Sequence, residues 1–304
     1  MQIGTFTPKN PVFLAPMLGV NCQAFIELCV SYGAGLVYTQ FIDSDDYDLF
    51  KISHLFDIHP IAVQIIGSKK DNLLRLMKEL DGKVDVIDVN LGCPLPQQLA
   101  KKSGAFFMKH PEFIEKIFAD IIPQIKTPVT AKIRSGWDEE SINAPEVCKI
   151  LEKCGFAAIS VHARTKKQVY TGQNDWELIK KCKEAVKIPI IGSGDITKPG
   201  HAKSFIERGY CDAVMIGREA QKNPYIIKQC STLMESNRNL IDKSKKEQFF
   251  DFYKLYSKHE MKLNQLKDHA IWFSTGLKNA TDMKQKILFA KSCEEIAEIF
   301  RSIL

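Results

Sequence analysis

Short runs of apolar, largely β-branched residues recur at near-regular intervals, and segments with helical patterning stand between most of them. The runs cover residues 12–15, 35–39, 61–66, 84–89, 129–133, 157–161, 188–191 and 213–216. The helical pattern marks 23–32, 69–80, 111–122, 144–154, 176–185 and 199–208. Strands that alternate with helices are joined by long crossovers, and such crossovers make neighbouring strands parallel. Eight of these units within about 220 residues predict an α/β fold, a (β/α)8 TIM barrel. A doubly wound open sheet is the alternative, but no G-x-G-x-x-G follows the first run.

The pattern changes after about residue 235. Strand signals stop, and Phe249, Phe252, Tyr253 and Tyr256 fall at helical spacing, as do Ile296, Ile299, Phe300 and Ile303. The expectation is a barrel over residues 1–235, a polar linker over 236–244 and a small C-terminal all-helical domain over 243–304. A chain of 304 residues with 45% hydrophobic content suits that division.

Charge separates the two parts. Residues 236–304 carry 13 Lys+Arg against 9 Asp+Glu, whereas the first 235 carry 29 against 27. A basic tail on a nearly neutral body suits a polyanionic partner, though a solvated helical surface has the same composition. No apolar run approaches the ~20 residues of a membrane span, and the chain does not open like a signal peptide. A cytoplasmic protein, expected as a monomer, is the reading. The nine cysteines form no C-x-x-C pair. That argues against a metal site or a disulfide framework and for reduced thiols.

In a barrel of this kind the chemistry lies at the C-terminal ends of the strands. There the sequence places Pro16-Met17, then Asn90-Leu91-Gly92-Cys93-Pro94, Lys132 within residues 130–134, His162 and Arg164 within 160–165, Gly192-Ser193-Gly194-Asp195, and Gly217-Arg218. A thiol at Cys93 is mostly protonated near neutral pH and could act as a general acid; a packed loop cysteine is the plain alternative. Lys132 could neutralise charge developing on a ring, form a Schiff base, or simply face solvent. His162 and Arg164, two apart on a strand, point to one side and could meet an anionic ligand. The glycines after the seventh and eighth runs suit a phosphate cradle built from backbone N–H groups, with Arg218 adding charge-assisted bonds. Together these residues suit a phosphate-bearing cofactor whose flat ring lies over the barrel mouth, and FMN is such a group.

These motifs resemble the tRNA-dihydrouridine synthase family. The match runs through Ala15-Pro16-Met17, Gln64, N-L-G-C-P at 90–94, K-I-R-S-G-W at 132–137, H-A-R-T at 162–165, G-Q-N-D-W at 172–176, G-S-G-D-I at 192–196 and Gly217-Arg218. Lys267-Asp268-His269-Ala270-Ile271-Trp272 looks like a looser version of a motif in the family's helical domain. The resemblance implies that Pro16, Met17 and Gln64 contact FMN and that Lys132 and His162 bind the isoalloxazine side. It implies that Gly194, Gly217 and Arg218 hold the phosphate, with Ser193 and Asp195 beside them. Asn90 would orient a uracil and Cys93 would protonate its C5, with Arg164 in substrate or ring contacts. NADPH would reduce the flavin, which would pass a hydride to C6 of a uridine in tRNA. Lys101 and Lys102, after Cys93, are candidate contacts to tRNA phosphates, as are Lys166, Lys167, Lys243, Lys245 and Lys246. The chain departs from the family pattern at Ser193, where Asn is usual, at Gln97 and Gln98, where many members carry Lys, and at Glu219, where small residues are usual. Three rivals stand beside this reading: a flavin barrel acting on a free pyrimidine or enone, a Schiff-base aldolase using Lys132, and a non-catalytic RNA-binding protein.

Overall fold

Each of the eight expected runs is a strand in the computed structural model, which describes residues 1–260 and 262–303. The barrel strands are β1 (Val12–Leu14), β2 (Leu36–Tyr38), β4 (Ile61–Ile66), β5 (Val86–Asn90), β6 (Val129–Arg134), β7 (Ala158–His162), β8 (Ile190–Ser193) and β9 (Ala213–Ile216). All neighbouring pairs are parallel, and pairing of β1 with both β2 and β9, together with β2 with β4, closes the ring. The sequence pattern missed a two-residue strand, β3 (Ile42–Asp43), which extends the sheet beside the end of β4. It was too short to carry a periodic signal.

Strand alternation explains the interior. Side chains two apart share a face, so the inward rows read Phe13–Ala15, Leu36–Tyr38, Ala62–Gln64, Val86–Asp88–Asn90, Thr130–Lys132, Ala158–Ser160–His162, Ile191–Ser193 and Ala213–Met215. The apolar members form one closed cluster. Gln64, Asn90, Lys132, His162 and Ser193 end their rows at the cavity, with Asp88, Thr130 and Ser160 buried beneath them, so the barrel is plugged below and chemically equipped above. The outward rows, such as Val63, Ile65, Ile87 and Val89, join the helices in the larger core.

Helices Gln23–Ser31, Lys70–Leu80, Ala144–Lys153, Trp176–Ala185 and Pro199–Glu207 stand close to their expected spans. The 111–122 segment is shorter: its helix runs Glu112–Phe118, and a 3-10 turn carrying Pro123 follows at Ile122–Gln124. Proline supplies no N–H to extend the α-helix. Lys245–Tyr256, Leu263–Phe273, Ala280–Phe289 and Cys293–Arg301 form the C-terminal helices. Ser244 and Glu247 make a capping box at the start of the first. Phe249 stacks on Phe300 with ring centroids 3.7 Å apart. The helical region rests on the barrel through Gln23–Ser31, where His269 lies between Phe25 and Phe252. Among the described residues, no helix is long and apolar enough to cross a membrane, and no three His, Cys, Asp or Glu side chains group as a metal site would need.

Candidate active site at the barrel mouth

A cavity of about 880 Å³ opens at the C-terminal ends of the strands. Pro16, Met17, Gln64, Asn90, Cys93, Lys132, His162, Ser193, Gly194, Asp195, Gly217 and Arg218 all line it. Residues far apart in sequence therefore meet because each ends a neighbouring parallel strand. Arg164, Lys101 and Lys102 do not line it. Arg164 is buried behind the wall, where its guanidinium donates to Thr171 O at 3.1 Å, Gly172 O at 2.7 Å, Asp195 Oδ2 at 2.6 Å and His162 Nε2 at 3.2 Å. With four of its five N–H groups committed, Arg164 braces the site from behind. Lys101 pairs with Asp43 at 2.6 Å, and Lys102 follows it in a left-handed backbone conformation.

The Cys93 loop is held from both sides. Asn90 Oδ1 accepts the N–H of Gly92 at 3.1 Å and of Cys93 at 2.8 Å. Across the loop, Ala105 N–H donates to Cys93 O at 2.9 Å. Gly104 permits that return: a Cβ there would stand 2.6 Å from Cys93 O, and its φ is +61°. Arg134 fastens the loop to the next one, donating from Nε to Gly92 O at 2.8 Å and from Nη1 to Thr165 O at 3.0 Å and Val169 O at 2.9 Å. The K-I-R motif was visible in sequence, but this clamp was not, because its acceptors are backbone carbonyls on another loop.

Burial raises the Cys93 thiol pKa, opposed by the Leu95 N–H and the charges of Arg134 and Lys132. The thiol thus keeps its proton near neutral pH, while two cations stand ready to stabilise the thiolate left behind. Burial, and then the Arg134 charge, pull Lys132 down to about 8. Burial holds His162 well below its usual value, and Lys132, Arg134, Arg164 and Arg218 push the same way. The imidazole is therefore neutral. Because Arg164 only donates, His162 Nε2 is an acceptor and the ring proton belongs on Nδ1.

The seventh and eighth strand ends divide their work differently from the expectation. Gly192 does not reach the cavity; its Cα faces Trp176, whose ring a Cβ would meet at 2.5 Å. Asp195 bridges Arg164 at 2.6 Å and Arg218 at 3.0 Å. Partial burial opposes its ionisation, but the Arg164 and Asn174 hydrogen bonds hold its pKa below the usual carboxylate value. Arg218 also lies over Tyr170, with 5.3 Å from its guanidinium to the ring centroid. Glu219 is paired with Lys222 at 2.9 Å, so it brings no uncompensated negative charge to this end of the cavity. Gln98 is buried and accepts from Ser103 Oγ at 2.8 Å, a packing role.

Sequence reasoning gave no role to Asp88, Thr130 or Tyr170. Tyr170 follows the H-A-R-T motif on a loop and signals nothing by spacing. Asp88 stands two residues before Asn90 on the inward row, and that period was the available clue.

Residues 13–301 match the dihydrouridine synthase (Dus) family. The chain is 30% identical over 294 residues to tRNA-dihydrouridine synthase B of Pasteurella multocida, covering 91% of this chain and 87% of that protein. It is 31% identical to a probable tRNA-dihydrouridine synthase of Rickettsia conorii, covering 100% and 97%. Among solved structures, TcOYE with pHBA superposes with a TM-score of 0.60 at 11% identity, over 82% of this chain and 94% of that one. Morphinone reductase does so at 0.55 and 13%, over 80% and 90%. These two likenesses speak to the barrel fold alone. The sequence matches over nearly the whole chain go further: this protein is a member of the dihydrouridine synthase family.

Proposed function

We propose that the chain is a flavin-dependent tRNA-dihydrouridine synthase, which saturates the C5–C6 bond of a uridine in tRNA. One observation carries the reading: the Cys93 thiol, the Lys132 ammonium and the neutral His162 ring line a single cavity, with the acid and the cation on adjacent strand ends.

The residues present fit FMN. Lys132 is half-buried and lines the cavity, so its charge is available to a ring that gains electrons. Gln64 keeps one N–H beyond that given to Asp88. Pro16, Met17, Gln64, Lys132 and His162 would hold the ring. Ser193, Gly194, Asp195, Gly217 and Arg218 would form the phosphate end, where Arg218 brings the cation and Asp195 fixes its direction. The chemistry the bound flavin supplies is a hydride to uracil C6, with NADPH as the reductant.

The chain's own residues do the rest. Asn90 gives one N–H to Gln64 Oε1 at 2.9 Å and commits its oxygen to the Cys93 loop. What it has left to offer a substrate is a single N–H, which suits a uracil carbonyl. Cys93 would protonate C5 as a general acid. The base must leave its stack to reach this depth. Residues 243–304 would bind the tRNA, their basic surface meeting its phosphates.

Purified protein, NADPH and tRNA lacking dihydrouridine should yield tRNA that gains two hydrogens at a defined uridine, mapped by mass spectrometry. A flavin-free protein, or a tRNA left unchanged, would end this reading.

A further inference from the structure

Beneath the cavity, inside the barrel, lies a carboxylate that none of these roles uses. Asp88 is wholly buried inside the barrel, two residues before Asn90. Its Oδ2 accepts from Gln64 Nε2 at 2.7 Å, and its Oδ1 accepts from Thr130 Oγ1 at 2.6 Å. Gln64 Oε1 then accepts from Asn90 Nδ2 at 2.9 Å, and Asn90 Oδ1 accepts from the Gly92 and Cys93 N–H groups.

Direction is the point of this chain of bonds. A side-chain amide can turn end for end with little change of shape, exchanging donor for acceptor. The backbone N–H groups of Gly92 and Cys93 only donate, so Asn90 must aim its oxygen at them. Asn90 then donates toward Gln64, Gln64 must receive with its oxygen, and its NH2 must find an acceptor at the far end. An ionised carboxylate at position 88 can do nothing but accept. Both ends thus impose one polarity, and a protonated or amide side chain at 88, able to donate as well as accept, would leave only the backbone end to enforce it.

We propose that Asp88 is a positioning residue: its carboxylate sets the polarity of the Gln64–Asn90 relay and so holds the Asn90–Cys93 loop in register for the substrate. The inference rests on the function proposed above, since it concerns the step in which Asn90 and Cys93 meet the uridine. Asp88 acts only through Gln64 and Asn90 and does not line the cavity.

The protonation of Asp88 bears on this role. Burial lifts its carboxyl to about 6, against hydrogen bonds from Gln64 and Thr130 and the charge of Lys132. The titratable groups facing it are Lys132 on β6 and the Tyr38 phenol on β2, which burial and Asp88 itself hold well above its usual value; β4 presents the neutral Gln64. Lys132, at about 8, titrates on the alkaline side. Acidification through pH 6 should therefore relax the relay by protonating Asp88.

The test separates the two half-reactions of the FMN-loaded enzyme in single turnover: bleaching of the flavin by NADPH, then its reoxidation by unmodified tRNA. Asp88→Asn keeps the shape, and Asp88→Leu removes the acceptor. Both should bind flavin and be bleached at rates within about twofold of wild type, while reoxidation by tRNA slows by about tenfold or more, the scale of one missing buried hydrogen bond. Wild-type reoxidation should fall as pH drops through about 6, and Asp88→Asn should lack that limb. Unchanged reoxidation, an acid limb retained in Asp88→Asn, or equal loss in both half-reactions would overturn the proposal; the last would make Asp88 a mere plug of the barrel. A wild-type enzyme that NADPH bleaches but tRNA does not reoxidise would sink the functional reading itself, and this role with it.

Discussion

Among the described residues two cysteine–histidine neighbourhoods hold strongly perturbed groups. At the barrel mouth Cys93 shares a cavity with His162. At the seam between barrel and tail, Cys22 Sγ lies 3.5 Å from His269 Nε2. Burial pushes the Cys22 thiol up to about 11 and the His269 ring down to about 3. Taken by perturbation alone, the seam rivals the mouth. The difference is in what surrounds them. His269 is packed between Phe25, Phe252 and Trp272. Among the described residues no cation opposes the burial of the Cys22 thiol, and the cavity at the mouth does not reach it. Cys93 faces open volume, and Lys132 and Arg134 oppose the effect of its burial. A shifted pKa marks a site only where a substrate can reach the group and where the charge left behind finds a counterion.

The sharpest way to break the comparison is to remove each thiol in turn. Cys93→Ala should bind flavin and be bleached by NADPH, yet form dihydrouridine about 10³-fold more slowly, within the range for loss of a general acid. Cys22→Ala should keep its rate within about twofold, a change of under about 0.5 kcal/mol in the barrier. Quantifying dihydrouridine in tRNA over time checks both. Equal losses would show that the cavity does not distinguish the two thiols.

That contrast also marks where the sequence was readable. The strand runs, the order of the motifs and the placement of Cys93, Lys132 and His162 at one mouth all follow from period and position, because parallel strands deliver every C-terminal end to the same face. The direction of individual hydrogen bonds does not follow. Arg164 reads as a ligand contact from its place beside His162, but its donors go to two backbone carbonyls, Asp195 and His162. Lys243, Lys245 and Lys246 read as phosphate contacts. Instead, Lys243 pairs with Asp251, Lys245 caps Lys222 O, and Lys246 donates to the carbonyls of Arg301 and Ile303, both at 2.8 Å. A helix terminus leaves carbonyls that need donors, and only the fold reveals which lysine is near enough to serve. His269 was part of a recognisable motif, yet its burial at the seam depends on the packing of Gln23–Ser31 against Lys245–Tyr256, which no local pattern encodes.

The seam has its own expected signature, in stability rather than rate. The His269 ring titrates at about 3 in the folded chain against 6.5 for an unperturbed histidine. The fold favours the neutral ring, so its contribution is complete above pH 6.5 and is lost as pH falls from there toward 3. At pH 4 the loss should amount to about 3 kcal/mol, at 1.36 kcal/mol per pKa unit. His269→Phe keeps an aromatic ring in the same packing and removes the titration. Denaturant melts at pH 7 and pH 4 should show wild type weakening relative to the variant at pH 4, with the dihydrouridine rate at pH 7 little changed. Parallel weakening of both proteins would show that the seam is indifferent to proton uptake and that acid acts elsewhere.

The smallest expected effect concerns the surface through which the tail would meet RNA. Lys278 and Lys291 stand exposed in the turns that flank the helix Ala280–Phe289, and Lys284 is half-exposed on that helix. Phe289 at its end is 82% exposed. Lys243, Lys245 and Lys246 are held by the chain's own oxygens, so they are poorly placed to release counterions from a phosphate backbone. Replacing Lys278, Lys284 and Lys291 together by Gln should weaken tRNA binding and lower the slope of log affinity against log salt by about 0.7–0.9 for each phosphate no longer neutralised. The rate at saturating tRNA should hold, because these side chains lie outside the cavity. Replacing Lys245 and Lys246 should lower the melting temperature and leave the slope alone, since their bonds join parts of the fold. If the slope follows the second pair and ignores the first three, the RNA approaches by another face, and the tail's positive charge serves the fold.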